Sequence, residues 1–362
     1  MQFSQKSKEH MDQCRFCWMC RHICPIGNAT GHERNTARAR GMILALVARG
    51  GVEYSSDIID SVYECALCGA CTKECVTGWD PVAFTKEARL EAALEGKLPS
   101  YVEKMLDNIE NTGNAYGIKD IDSNLKDAAK SHIAKCDTLL FIGKDCLYKV
   151  SKIAVDAIKI LERAGVEFTV DLNEPDSGYT MEFLTGLSEE TRQTAINAAN
   201  ALKEYKTVIC LESEDAMMFK REYGEWGIDV PFEVKTFTSV VANLISENKL
   251  NVKKTDNTYT FNDPVHLARD LEEITPAREI LSACGNVCEM LLNGKDTMLG
   301  GNLIMNEYMP EVMKDVARDR WTNAVNVGTK ILVTASAADY AMLSLVKPDG
   351  VEIKTLGDVV LC

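Results

Sequence analysis

Cysteines are the residues of this chain whose type and spacing point most directly to chemistry. The chain has 14 of them. Eight fall in two tight groups near the N-terminus: Cys14, Cys17, Cys20 and Cys24, then Cys65, Cys68, Cys71 and Cys75. The remaining six are scattered: Cys136, Cys146, Cys210, Cys284, Cys288 and Cys362. This many cysteines in a chain without an export signal indicate metal or redox chemistry rather than a disulfide framework.

Both groups have the spacing C-x2-C-x2-C-x3-C, and a proline follows the first group. This spacing is typical of paired [4Fe-4S] clusters, in which three cysteines hold one cluster and the fourth binds the other. Zinc sites prefer two CxxC pairs with a longer spacer and fit less well. Cluster I is therefore assigned Cys14, Cys17, Cys20 and Cys75. Cluster II is assigned Cys65, Cys68, Cys71 and Cys24. The crossed ligation would hold the two clusters close together, as a path for single electrons requires.

Composition limits the class of protein. The 362 residues are 46% hydrophobic and 26% charged, which excludes disorder for most of the chain. A net charge of -14 argues against nucleic acid and acidic membranes as partners. The longest purely apolar run, 42–48, is far short of a transmembrane segment, and the N-terminus has no apolar signal core. We therefore expect a soluble, cytoplasmic protein.

The region around the two cysteine groups has the pattern of a helical domain. Helices are predicted over 32–50, 55–63 and 81–94, so residues 1–97 are expected to form an α-helical ferredoxin domain with two clusters. Positive side chains near the clusters could raise their reduction potentials, or could be solvated charges on helix faces. These side chains are Arg15, Arg21, His22, Arg38 and Arg40. Trp18 could shield a cluster from water or pack in the core.

Charge and the alternation of apolar and polar residues distinguish the remainder of the chain from residues 1–97. Residues 1–97 hold 12 basic and 12 acidic side chains, so residues 98–362 carry the whole net charge. Residues 98–135 are predicted to be a linker with a weak helix over 124–133. From residue 136 onward, short β-rich runs alternate with amphipathic helices, which predicts an α/β domain with parallel sheets. The alternation occurs twice, over about 136–235 and 257–362, and predicts two pseudo-repeats.

The segment from Asn262 to Arg269, with Pro276 to Glu279 and the pair Gly300-Gly301, resembles the cysteine-rich CCG domain. That domain occurs in iron–sulfur subunits of heterodisulfide reductases, glycolate oxidases and anaerobic glycerol-3-phosphate dehydrogenases. The resemblance covers about residues 10–97 and 136–345.

Most cysteines that bind clusters in this family are missing here. The first repeat keeps cysteines that correspond to Cys146 and Cys210, but its Cys-Cys-Gly position is occupied by Asp176-Ser177-Gly178 and its closing position by Ser213. In the second repeat the corresponding positions are Val265, the vicinity of Asp296-Thr297, Ser336 and Asp339. The resemblance therefore implies a degenerate CCG domain without a cluster. Whether Cys146 and Cys210 keep a metal or redox role stays open.

Glycines at the expected strand ends suggest either tight turns or amides that hold an anion or the edge of a flavin. These are Gly143, Gly178, Gly300 and Gly301. His266 and Arg269 correspond to a histidine and an arginine beside the family's cluster, and without a cluster they are expected to be structural or part of a docking surface.

The resemblance implies an electron-transfer subunit without catalytic residues. Its partner would be an FAD-containing dehydrogenase for a 2-hydroxy acid or similar alcohol, or an electron-transferring flavoprotein, in a hetero-oligomer. The acidic surface would favour a partner with a basic patch. Two alternatives remain. One is a catalytic disulfide-type reductase with its site in the C-terminal domain; the other is a structural member of a larger electron-bifurcating assembly.

Overall fold

A computed structural model describes residues 3–362 of the chain. Residues 3–112 contain only helices and turns. The helices are α1 (Gln5–Asp12), α2 (Met19–His22), α3 (Pro25–Thr30), α4 (Ala37–Ala48), α5 (Ser56–Tyr63), α6 (Ala70–Glu74), α7 (Pro81–Leu94) and α8 (Ser100–Thr112). The three predicted helices are confirmed as α4, α5 and α7. Helix α7 begins at Pro81 because Asp80 caps it, accepting hydrogen bonds from the amides of Val82 (3.0 Å) and Ala83 (3.3 Å).

Eight strands form two four-stranded parallel sheets, which confirms the predicted α/β region. The strands are β1 (Thr138–Phe141), β2 (Thr169–Val170), β3 (Thr207–Cys210), β4 (Glu233–Thr236), β5 (Thr258–Asn262), β6 (Asn286–Val287), β7 (Ile331–Thr334) and β8 (Glu352–Thr355). The strand orders are β2-β1-β3-β4 and β6-β5-β7-β8. Both sheets therefore have the same topology.

Thirteen further α-helices follow α8 among the described residues. They are α9 (Ser123–Ala129), α10 (Lys144–Tyr148), α11 (Ser151–Arg163), α12 (Tyr179–Thr185), α13 (Glu189–Leu202), α14 (Ser213–Met217), α15 (Tyr223–Glu225), α16 (Phe237–Ser246), α17 (Thr275–Cys284), α18 (Leu303–Asn306), α19 (Pro310–Asn326), α20 (Ala337–Leu345) and α21 (Leu356–Val360). In the part of the chain that the structure describes, no helix has the length and apolar character needed to cross a membrane.

The sequence pattern did not predict strands β4 and β8. Their sequences are Glu-Val-Lys-Thr and Glu-Ile-Lys-Thr, and both lie at the edge of a sheet. Each has a single apolar residue between two charged ones, so neither produces the apolar run that identifies a buried strand. In both, the final threonine caps the next helix: Thr236 accepts from the amide of Ser239, and Thr355 from that of Asp358.

The first sheet is buried on both faces. Leu140 and Ile209 lie in a core that also contains residues of α11, α16, α17 and α21. Leu139, Phe141 and Val208 point to the opposite face and pack with residues of α13, α14 and α15. This alternation is what a parallel sheet covered by helices on both sides requires.

The chain divides into two compact units. The first consists of residues 1–117, 180–193 and 304–316, and the second of 118–179, 194–303 and 317–362. Part of the predicted linker, helix α8, belongs to the first unit, where the ring of Tyr101 stacks on that of Tyr308 with centroids 4.6 Å apart. The division into domains at residues 97 and 135 stays a prediction.

Replacing Thr355, the N-cap residue of α21, tests how much the cap contributes to stability. Thr355 is buried, and its hydroxyl accepts from the amide of Asp358 at 3.1 Å while that carboxylate accepts from the amide of Thr355 at 2.9 Å. We expect Thr355→Ala to cost about 1 kcal/mol of stability and to lower the midpoint of thermal unfolding by roughly 2–4 °C. Thr355→Ser keeps the hydroxyl and should lose much less. Equal losses in the two variants would mean that packing, not capping, dominates at this position.

Candidate metal centre

The first predicted ligand group lies around Cys20. Burial raises the pKa of Cys20 to about 12, and the nearby thiols of Cys14, Cys17, Cys24 and Cys75 add to the increase. The structure thus brings the three N-terminal cysteines of this group together with Cys75, which lies at the end of α6. Iron binding removes the thiol protons, so iron at this point would stabilise the four sulfur atoms as thiolates.

The second predicted ligand group lines one cavity. Cys24, Cys65, Cys68 and Cys71 all border it, together with Arg40. The cavity contains about 310 Å³ of space free of protein atoms, part of it open to solvent. Four cysteine side chains around one cavity are the donor set that a [4Fe-4S] cluster requires. The residues therefore fit the group, including Cys24 from the other motif.

Among the described residues, no set of three or more histidine, cysteine, aspartate or glutamate side chains is arranged around a point where a single metal ion could bind. A [4Fe-4S] cluster requires a different arrangement. Each thiolate binds a different iron atom of the cluster, so the four sulfurs lie further apart than the ligands of one ion.

The two cysteine loops share an unusual backbone conformation. Phe16 and Leu67, which hold the same motif position, have φ of 57° and 51°. Trp18 and Gly69, two positions later, have φ of 72° and 71°. Left-handed residues of this kind turn backbone amides toward a common centre, as in anion-binding nests and many iron–sulfur sites. For Trp18 the conformation is strained, which is characteristic of functional loops.

Arg40 is a buried cation beside the second ligand group, which consists of Cys24, Cys65, Cys68 and Cys71. It is 2% exposed, and its guanidinium donates to the carbonyl oxygen of Asn35 at 2.8 Å and approaches the sulfur of Cys24 to 3.9 Å. Burial alone would lower the pKa of Arg40, but the negative charges of Cys65, Cys24 and Cys71 raise it above its ordinary value. Of the five positive residues named from the sequence, this one is not a solvated charge on a helix face.

The other four positive residues lie nearer the surface. Arg15 and His22 are exposed. Arg21 and Arg38 both pair with Glu33, at 2.7 Å and 3.0 Å. Arg38 also stacks over the Trp18 ring, 4.2 Å from its centroid. Trp18 is 47% exposed, so the predicted shielding or core-packing role is at most partial.

In the second unit, the loops that would hold an anion are already occupied by the protein's own carboxylates. After β1, the amides of Ile142 and Gly143 donate to Glu174 at 2.8 Å and 2.6 Å. Gly143 has φ of +87°, and a methyl group on it would lie 2.6 Å from oxygens of Glu212 and Asp215. Burial raises the pKa of Glu174 to about 7. The glycine is therefore required by both backbone conformation and close packing.

Cys146 and Cys210 lie among these carboxyl groups. The amide of Cys146 donates to Glu212 at 2.5 Å, and the hydroxyl of Ser177 donates to Asp215 at 2.5 Å. Burial raises the pKa of Cys146 and Cys210 well above the ordinary value, and nearby carboxylates, Glu212 for Cys146 and Asp215 for Cys210, add to the increase. Both side chains are therefore neutral thiols, which are poor metal ligands and poor nucleophiles.

In the second sheet, the end of strand β5 and the loops beside it are closed by a polar network. Asp339 accepts from the amide of Gly300 at 3.1 Å and from the side chain of Asn262 at 2.7 Å. The buried guanidinium of Arg320 donates to Asn262 and, at 3.2 Å, to Thr297. Burial raises the pKa of Asp339 to about 7 and lowers that of Arg320 to about 10. These side chains satisfy one another.

His266 and Arg269 make contacts within the second unit. His266 is buried, and its two ring nitrogens hydrogen-bond Tyr179 at 3.2 Å and Asp270 at 2.9 Å. Arg269 donates to the carbonyl oxygen of Lys295 at 3.1 Å. These contacts agree with the structural role expected for both residues.

Comparison with known proteins identifies the N-terminal part. Residues 10–79 match the 4Fe-4S dicluster domain family. The predicted resemblance to iron–sulfur oxidoreductase subunits is confirmed. The match to the dicluster domain supports [4Fe-4S] clusters as the cofactor of this part of the chain.

Several curated proteins are similar over most of the chain. The probable iron-sulfur-binding oxidoreductase FadF of Bacillus subtilis is 27% identical, with 86% of this chain and 47% of that protein covered. A dihydromethanophenazine:CoB--CoM heterodisulfide reductase subunit of Methanosarcina acetivorans is 24% identical, with 90% and 86% covered. An uncharacterized iron–sulfur protein of Methanococcus maripaludis is 22% identical, with 90% and 64% covered. The chain thus spans about half the length of the Bacillus relative.

Neutralising Arg40 tests its influence on the dicluster domain. We expect Arg40→Gln to lower the reduction potential of one cluster by at least about 59 mV, a tenfold change in a one-electron equilibrium, because a buried positive charge favours the more negative reduced state. Arg40→Lys keeps the charge and should retain most of the potential. The measurement is a redox titration followed by electron paramagnetic resonance, with Arg38→Gln as the control for a partly exposed arginine. An unchanged or higher potential in Arg40→Gln would contradict this role.

Alkylation of the native protein tests the state of Cys146 and Cys210. Both are buried neutral thiols, whereas Cys362 is exposed. We expect iodoacetamide to modify Cys362 under anaerobic native conditions and to modify Cys146 and Cys210 only after unfolding in guanidinium, as measured by mass spectrometry. Faster modification of either buried cysteine than of Cys362 would show a reactive thiolate in the second unit.

Proposed function

We propose that the chain is an electron-transfer subunit of an oxidoreductase that relays single electrons through two [4Fe-4S] clusters. Cluster I would be held by Cys14, Cys17, Cys20 and Cys75, and cluster II by Cys65, Cys68, Cys71 and Cys24. The observation that carries the proposal is the cavity in which Cys24 joins the three cysteines of the second motif. That arrangement is the crossed ligation of paired clusters.

Full ligation by cysteine limits what the clusters can do. If all four iron atoms have a thiolate ligand, none is open for an organic substrate. Oxidation of an alcohol releases two electrons and two protons, and a cluster accepts one electron and no proton. A flavin can take up both electrons and release them one at a time. We therefore propose a partner with FAD, either a dehydrogenase for a 2-hydroxy acid or similar alcohol or an electron-transferring flavoprotein.

The names of the relatives favour a chain that works with other subunits. The Methanosarcina relative is named as a subunit of a heterodisulfide reductase, and the Bacillus relative as an iron-sulfur-binding oxidoreductase. The chain covers only about half of the Bacillus protein, so the activity of that protein as a whole is not carried over to it. We propose a hetero-oligomer in the cytoplasm.

The α/β region, residues 136–362, is proposed to consist of two repeats of one ancestral unit. The identical strand orders and the shared Glu-Val/Ile-Lys-Thr strands before a threonine-capped helix support this. Asp215 and Asp339 are each the third residue of the helix after the third strand of their sheet, in α14 and α20. This alignment pairs Asp339 with Asp215 rather than with Ser213, the position that the resemblance gave it. In this proposal the region is a degenerate CCG domain that serves as a scaffold.

A catalytic reductase with its site in the second unit is the alternative function. It is favoured by the relatives named as heterodisulfide reductases. Two neutral thiols among buried carboxyl groups are a poor basis for it, because a cluster ordinarily needs four thiolates.

Iron content tests both functions. We expect about eight iron atoms per chain in protein purified anaerobically, no substrate turnover without a flavoprotein, and loss of about half of the iron in Cys17→Ser and in Cys71→Ser. Cys136→Ser is the matched control and should keep all of the iron. About four iron atoms in the wild-type chain, or turnover without a flavoprotein, would contradict the electron-transfer function. A paramagnetic species that survives Cys14→Ser combined with Cys65→Ser would favour the catalytic alternative.

A further inference from the structure

The two cysteine loops have the same backbone conformation but opposite surroundings. In the second loop, Leu67 is 7% exposed and Ala70 is 4% exposed. At the same motif positions of the first loop, Phe16 is 59% exposed and Met19 is 47% exposed. Where the second loop has Gly69 at a left-handed position, the first has Trp18. Large apolar residues thus stand at the exposed positions, the reverse of what solvent exposure alone would favour.

A fourth exposed apolar side chain follows a cysteine assigned to the same cluster. Val76 follows the cluster I cysteine Cys75 and is 95% exposed. Cys17 is itself exposed, whereas Cys24, Cys65 and Cys71 of the second group are buried. We call Phe16, Trp18, Met19 and Val76 the apolar rim of cluster I. Exposed apolar residues grouped in this way mark interaction sites in soluble proteins.

A groove adjoins the apolar rim within the first unit. It is lined by Cys14 and Phe16 together with Met42, Leu46 and Trp79. Met42 is 37% exposed and Leu46 is 44% exposed, so apolar surface extends from the cysteine loop onto helix α4. A partner seated here would lie against a ligand of cluster I.

The charge around the apolar rim is positive, although the whole chain is strongly acidic. Residues 13–32 contain Arg15 and Arg21 and no aspartate or glutamate. Asp12, which lines the groove, is paired with Arg49 at 2.5 Å. The nearest following carboxylate, Glu33, is already paired with Arg21 and Arg38. A face of this kind complements a partner surface that is apolar at its centre and acidic at its edge.

We infer that the apolar rim of cluster I is the docking surface for a protein redox partner whose cofactor edge is ringed by carboxylates. The inference rests on the proposed electron-transfer function and adds the place of exchange and the charge of the partner. It also differs from the expectation of a basic partner patch drawn from net charge, because the local sign at the exposed cluster is opposite to that of the whole chain. Each exchange oxidises one donor by one electron and reduces one acceptor by one electron.

Electron transfer to two protein probes of opposite charge tests this surface. The full chain is reduced with dithionite, freed of excess reductant, and mixed in a stopped-flow instrument with flavodoxin, which has a net negative charge, or with cytochrome c, which has a net positive charge. We expect flavodoxin reduction to be second order and to slow as salt rises, because attraction between opposite charges is screened. Cytochrome c reduction should speed up as salt rises.

Variants of the apolar rim and its charge locate the surface. Trp18→Gly is compatible with the left-handed backbone, as Gly69 is in the second loop, and Val76→Ser changes a fully exposed side chain. We expect each of these, and Arg15→Glu, to slow flavodoxin reduction by roughly tenfold at low salt. Leu94→Ser, at a residue that is 72% exposed on α7, is the apolar control, and Lys104→Glu on α8 is the charge control. Both controls should retain the wild-type rate.

Iron content and the potentials of every variant are measured first, so that the loss of a cluster is not mistaken for the loss of docking. A chain that lacks two clusters would contradict the proposed function. Three results with both clusters intact would overturn the docking surface alone. Electron transfer to flavodoxin could be undetectable, or its rate could be insensitive to salt. The rim variants could also transfer electrons as fast as the controls. A rate to cytochrome c that falls with salt would overturn the charge of the surface.

Discussion

The crossing of one cysteine from each motif into the other motif's site is the constraint on which the N-terminal unit depends. Cys24 must end its own loop, begin helix α3 after Pro25, and still reach the cavity of Cys65, Cys68 and Cys71. This crossing joins segments about 40 residues apart in the sequence, and it leaves Arg40 between them with its charge turned toward three sulfurs. A burial that would be unfavourable for an isolated guanidinium becomes stable because negative charge surrounds it.

Sequence spacing predicts which cysteines lie near one another, because paired clusters of this motif take three cysteines from one group and the fourth from the other. Helix α7 is also predicted with its observed bounds, since Asp80 and Pro81 specify its first turn. The burial of Arg40 could not be predicted in this way. Its side chain is one of three arginines close together in the sequence, and only the tertiary fold distinguishes it from Arg34 and Arg38. Residues 180–193 and 304–316 belong to the first unit, although the residues on either side of them in the sequence belong to the second. No local feature of the sequence predicts this assignment.

The two edge strands could not be predicted from hydrophobic pattern. Strands β4 and β8 contain too few apolar residues to be recognised singly, yet their sequences are nearly the same. Comparison of the two halves of the α/β region with each other would have found both. The signal lies in repetition rather than in hydrophobic pattern, because an edge strand buries little surface and is specified mainly by its ladder of hydrogen bonds and by the threonine that starts the next helix.

The two halves of the α/β region accommodate a buried aspartate in two different ways. Each half places a buried aspartate at the same point of its sheet, in the helix that follows the third strand. In the second half, Asp339 receives an amide, an asparagine and the nearby charge of Arg320. In the first half, Asp215 receives only Ser177 and faces Glu212 across Gly143, so its carboxyl must be protonated to remain buried. The second site is therefore filled by compensated charge and the first by neutral acid, and both fill the space between the loops at the strand ends.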